Sequence, residues 1–120
     1  MSDGVKVPLG LDRKEIAKLT LPQVLRMQAE RIGKKGVALR EKAYGIWQPY
    51  TWHDYAEYVK NTALGLIAVG LRRGDRIGII TNNHVEWLFS ELGGQAAGAV
   101  TLNLFTTAVA EELVHSLNRV

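Results

Sequence analysis

RIGIITNNHVEWLFSELGGQAAGAVTLNL, residues 76–104, decides the fold. It opens on a short apolar run, 76–81, that reads as a buried strand. Residues 84–97 then place apolar side chains at helical spacing, and Gly98 stands where that helix should end. A second apolar run, 99–104, follows at once. Strand, helix and strand joined this tightly predict a right-handed βαβ crossover, which begins a parallel sheet.

Upstream, GLRRGDRIGIITNN at 70–83 carries glycines at 70, 74 and 78. Their spacing matches neither the dinucleotide fingerprint nor the phosphate loop ending in Gly-Lys-Ser/Thr. The order is also inverted, because a phosphate cradle lies after a strand and before a helix, whereas these glycines follow a helix and precede a strand. Gly70 is expected to cap a helix in the left-handed region and Gly74 to serve a turn. Arg73-Gly74-Asp75 needs an exposed loop on an extracellular protein to act in adhesion. With no secretory signal at the amino terminus, its occurrence is read as chance.

The preceding helix starts at Thr51, whose hydroxyl suits an N-cap, with Asp54 at the capping-box position. Trp52, Tyr55, Ala56, Val59, Ala63, Leu66 and Ile67 share one face of it. VALREKAYGIWQPYTW before it predicts a β-hairpin, strands roughly 37–42 and 45–50, with Pro49 marking an edge or an end. The Trp47/Trp52 and Tyr50/Tyr55 cluster is expected to pack hairpin against helix. Thr20 and Gln23 predict a capped helix that Gly33 ends, with Leu19 and Val24 as a hydrophobic staple and Pro22 in the first turn. Residues 1–19 read as a flexible segment. Asn83 and Thr107 are the expected caps of the last two helices, and Val109, Leu113, Val114 and Leu117 the apolar face of the final one.

One domain fits 120 residues at 47% hydrophobic content. No apolar run is long enough to span a bilayer. There is no cysteine, which excludes disulfides, thiolate metal sites and a Cys nucleophile. Residues 1–50 hold ten Lys/Arg against five Asp/Glu, and 51–120 hold five against seven. The basic residues of the first half are interleaved with apolar ones, so they read as a solvated face and not as a nucleic-acid footprint. The expected location is cytoplasmic, with this basic half able to draw the chain to an anionic membrane surface.

No constellation for catalysis is complete. The loops 81–84 and 103–107 lie at the carboxyl ends of the predicted parallel strands, where α/β proteins bind ligands. Capping and turn formation account for their asparagines. His53, His84 and His115 lack partners at metal-binding spacing. Ser2, Ser90 and Ser116 sit in no nucleophile elbow, and Glu111 and Glu112, adjacent on a helix, point apart. No catalytic, cofactor-binding or metal-ligating residue is assigned.

Three phrases, ALREKAYGIWQPYTWHDY (38–55), ALGLIAVGLRRGDRIGIITNNHVEW (63–87) and QAAGAVTLNLFTTAVAEELVHSL (95–117), and the order of elements resemble the amino-terminal part of AMP-forming acyl-CoA synthetases. This group lies in the adenylate-forming superfamily, and the resemblance covers about residues 20–118. The first phrase is similar to the long-chain fatty acid branch, whereas Thr101-Leu102-Asn103-Leu104-Phe105 is closer to medium-chain wording. The resemblance implies the incomplete amino-terminal part of the large adenylate-forming domain, residues 20–120. It also implies a parent ligase that joins a fatty acid to coenzyme A through an acyl-adenylate, using ATP and magnesium. The family's phosphate loop, ribose-binding aspartate and catalytic lysine have no counterpart in these 120 residues, so no functional residue carries over. The chain is therefore expected to bind no cofactor by itself, to be inactive alone, and to have the remainder of a parent chain as partner. The alternative is a stand-alone interaction module that closes its open sheet by dimerisation or domain swapping.

Overall fold

Two helices begin where a threonine stands three residues ahead of a side chain that can reach back. The computed structural model describes residues 13–119. After a single-turn helix α1 (Arg13–Ala17) comes α2 (Leu21–Arg31). At its start the Thr20 Oγ1 accepts from the Gln23 N–H at 3.4 Å, and the Gln23 Oε1 accepts from the Thr20 N–H at 2.8 Å. The expected flexible segment falls outside the described residues as far as residue 12.

A short 3-10 turn, Gly33–Lys35, leads into the antiparallel hairpin β1 (Val37–Ala43) and β2 (Ile46–Thr51). Its two-residue turn, Tyr44-Gly45, has φ of 52° and 79°, the sense that matches the twist of paired strands. Pro49 does not end β2. It sits opposite Arg40, and a two-stranded sheet has a free edge that does not need its missing N–H.

Helix α3 (Trp52–Ala68) starts on the second reciprocal cap, with Thr51 Oγ1 and Asp54 Oδ2 each accepting a backbone N–H at 3.0 Å. The cap hydrogen bonds hold the Asp54 carboxyl below its ordinary pKa. Tyr55, Val59 and Ala63 are its buried residues, whereas Ile67, expected on the same face, is exposed. Residue 67 lies in the last turn of α3.

Strand β3 (Arg76–Ile80), helix α4 (Val85–Ala96) and strand β4 (Val100–Leu104) form the expected crossover, with β3 and β4 parallel and Ile77 opposite Thr101. The helices before both strands end alike. Gly70, at φ 108°, donates to the Ile67 carbonyl, and Leu71 to that of Leu66; Gly98, at φ 90°, donates to Gln95, and Ala99 to Gly94. Both are Schellman motifs, which require the left-handed residue that glycine supplies without strain.

Packing makes three layers. A Cβ on Gly94 would come within 2.5 Å of Ile77 Cδ1 and 3.0 Å of Thr101 Cγ2, so α4 lies directly on one face of the sheet. A Cβ on Gly78 would meet Leu117 Cδ2 at 3.1 Å, which places α5 (Ala110–Asn118) on the other face. That second cover is partial. Val114 and Leu117 remain exposed, and so do Ile80 (52%) and Val100 (50%), so β3 is buried on one face only.

The core forms where α2, α3 and α4 meet, around Leu25, Tyr55, Val59, Val85, Phe89 and Leu92. Phe89 is ringed by Tyr50, Tyr55 and Tyr58 at centroid distances of 4.7–5.8 Å. Tyr50 and Tyr55 thus join hairpin to helices as expected. Trp47 does not; it stands 64% exposed.

Candidate functional site

The carboxyl ends of β3 and β4 are the first place to look for a ligand, because the loops after parallel strands face open space there. Two expected caps turn out differently. His84 donates its N–H to the Asn82 carbonyl at 2.8 Å, so Asn83 is held at the tip of a tight turn and His84 becomes the N-cap of α4. Ala108 donates to the Phe105 carbonyl, which draws Thr107 into a turn and leaves Val109 as the N-cap of α5. Neither cap residue supplies a side-chain acceptor.

Between these loops lies a cleft of about 300 Å³, lined by Thr81, Asn82, Asn83, Trp87, Asn103 and Phe105 among others. The Trp87 indole N–H donates to Asn103 Oδ1 at 2.8 Å and ties the start of α4 to the end of β4. Phe105 is 82% exposed at the rim. No residue lining this cleft is charged. It offers amides, a hydroxyl and aromatic rings, a set that lacks the cations a phosphate needs.

A larger groove of about 450 Å³ follows the unpaired edge of β3, between Thr62 and Leu66 of α3 and Glu86 and Ser90 of α4. Its floor is backbone that pairs with nothing on that side. An unsatisfied strand edge, rather than a catalytic constellation, accounts for its size.

The glycine-rich stretch is not built as an anion cradle. Its N–H groups are spent internally: Arg72 on Asp75 Oδ2, Asp75 on the Arg72 carbonyl, and Gly74 on the Gly98 carbonyl, besides the two helix-end bonds of Gly70 and Leu71. A phosphate cradle needs free amides converging on one point, so these residues do not fit the triphosphate of ATP.

Of the residues considered for chemistry, Glu111, Glu112 and His115 are exposed on α5, and Ser90 lines the strand-edge groove. They do not come together. What sequence spacing missed is a meeting of Glu41, His84 and Glu86, with His84 Nδ1 3.0 Å from Glu41 Oε1. Glu41 lies on the hairpin, 43 positions away from His84, so only the tertiary fold brings it there. Glu91 carries another unusual carboxylate. Its Oε1 accepts from Gln95 and Thr101, while its buried Oε2 has no partner among the described residues.

The family model described as AMP-binding enzyme matches residues 25–120. The chain belongs to the AMP-binding enzyme family. Among curated relatives, "Uncharacterized protein Rv1549" of Mycobacterium tuberculosis is 38% identical over 79 residues, covering 66% of this chain and 44% of that protein. The long-chain-fatty-acid–CoA ligase ACSBG2 of Xenopus laevis is 31% identical over 107 residues, 88% of this chain and 14% of the ligase. The chain thus spans less than half the length of these relatives. Among solved structures, the fatty acid AMP ligase of Legionella pneumophila superposes with a TM-score of 0.71 at 22% identity, over 84% of this chain and 18% of the ligase chain. That likeness shows the fold, an amino-terminal part of the adenylate-forming domain. Among the described residues no helix is long and apolar enough to cross a membrane.

Proposed function

We propose that this chain is the amino-terminal portion of the AMP-binding domain of a fatty acid–CoA ligase, and that it acts as scaffold, not as catalyst. The observation that carries this reading is the family match across residues 25–120, joined to relatives named as long-chain ligases. The proposed reaction of the whole protein joins a fatty acid to coenzyme A at the expense of ATP, which is cleaved to AMP and pyrophosphate. ATP, magnesium and coenzyme A are held by residues outside this chain. The neutral strand-end cleft and the internally bonded glycine turn both support that division of labour. The remainder of a ligase chain is the partner that the open edge of β3 awaits. Pyrophosphate release from ATP plus a fatty acid tests the scaffold role. The isolated chain is expected to give none, and turnover above a no-protein control overturns the reading.

A second reading has one observation in its favour. In the Rv1549 protein the matched segment is 44% of the whole, so a short relative carries this unit without a full-length ligase around it. On that reading the chain is a stand-alone interaction module that pairs with a second copy, by dimerisation or domain swapping. The reading frame beyond Val120 separates the two. A frame continuing into a Ser/Thr/Gly-rich loop supports the ligase, and an immediate stop codon supports the module.

A further inference from the structure

Glu41, His84 and Glu86 each present one ligand-type atom, and all three atoms lie within 4.8 Å of one another. They come from two separate parts of the fold. Glu41 is half-buried on β1 of the hairpin, whereas His84 and Glu86 stand at the entry to α4. His84 occupies the N-cap position yet caps nothing, since its ring is turned to Glu41. A histidine there is poorly explained by helix geometry, which favours Ser, Thr, Asp or Asn.

Charge is left unbalanced at this junction. Among the described residues, no Lys or Arg forms an ion pair with Glu41 or Glu86. The two carboxylates are close enough to act on the same phenol: Tyr50 is raised above its ordinary pKa by burial first, and then by Glu41 and Glu86. An ion pair between His84 and Glu41 neutralises one carboxylate at most and leaves the second without a counterion. One divalent cation would neutralise both.

The donor set names the class of ion. Two carboxylate oxygens and one imidazole nitrogen suit zinc and its neighbours, while magnesium and calcium take oxygen ligands alone. We propose that Glu41, His84 and Glu86 form a binding site for a zinc-type divalent cation, which clasps the β-hairpin to the amino end of α4. Three protein ligands leave a fourth position for water.

Isothermal titration of the metal-stripped full chain with zinc chloride tests the site, alongside thermal unfolding with and without zinc. One saturable site and a raised Tm are expected at pH 7.5. His84→Gln should abolish the binding. Glu86→Gln, at an exposed position, should weaken it by more than about tenfold, a loss that even an outer-sphere partner of a metal can carry. Variants of His53 and His115 should bind as the wild type does. Magnesium chloride should leave Tm unchanged. Absence of saturable zinc binding overturns the proposal, as does equal affinity in the wild type and Glu86→Gln. Circular dichroism confirms that each variant is folded, and should His84→Gln prove unfolded, Glu86→Gln decides alone.

Discussion

The Phe89 ring of α4 lies flat against the Tyr58 ring of α3, with centroids 4.7 Å apart and planes 12° from parallel. Tyr50 of the hairpin meets the same ring edge-on at 5.8 Å. One side chain therefore holds three elements together. Phe89→Ala should cost about 3–5 kcal/mol, the range for truncating a buried aromatic. Phe89→Leu, which retains most of the volume, should cost less, and urea denaturation of the two variants measures the difference.

Gly98 tests the helix ends. Its φ of 90° is one that side chains rarely adopt, and an added Cβ would stand 3.1 Å from Arg73 Cγ and 3.3 Å from Arg73 Cα. Gly98→Ala should destabilise by more than about 1 kcal/mol, because strain and crowding act together. Gly65→Ala provides the control. That glycine lies within α3 with open space around it, so the change should stabilise by roughly 0.5–1 kcal/mol.

The Thr51–Asp54 cap carries a pH signature. Cap hydrogen bonds lower the Asp54 pKa in the folded state, so the unfolded chain takes up its proton first as pH falls. The stabilisation is fully present above the unfolded value of about 3.9 and is lost as pH drops through the lower folded value. Asp54→Asn should flatten the stability profile in that acidic window. Thr51→Ala should cost about 0.5–2 kcal/mol at neutral pH. Thermal unfolding across pH 2–7 follows both, and an unchanged acidic limb in Asp54→Asn would count against the cap as its source.

Three tryptophans should respond differently. Trp47 projects from the hairpin, so Trp47→Ser should change stability by no more than about 0.5 kcal/mol. Trp87→Phe removes the donor to Asn103 and should cost about 0.5–1.5 kcal/mol, the usual worth of one hydrogen bond. Acrylamide should quench Trp47 most readily, with Trp52, half-buried and stacked on Tyr55, better protected.

Features that depend on residues three or four apart were legible in the sequence. Both reciprocal caps at Thr20 and Thr51 and the glycine-ended helices are local bargains between neighbours, and each forms as expected. The crossover was legible because its strands and helix differ in period. Asn83 and Thr107 misled because a backbone turn competes with capping, and residue preference alone does not say which wins. Trp47 misled for another reason. Both faces of β2 offer an aromatic residue, so alternation leaves open which one points inward until Tyr50 finds Phe89. The Glu41–His84–Glu86 meeting was illegible, since no spacing in the chain encodes an approach between a hairpin and the entry to a later helix.

The turn at Arg72–Asp75 and the loop at Gly98 are laced together by two backbone bonds of 2.8 Å, Gly74 N–H to the Gly98 carbonyl and Val100 N–H to the Asp75 carbonyl. These are the lowest rungs of the β3–β4 ladder, set where two helices end. Parallel pairing forms slowly because a long crossover must close before the first rung exists. Here that closure falls where two glycine-ended helices stop, and the two bonds fix the register of the strands from that end.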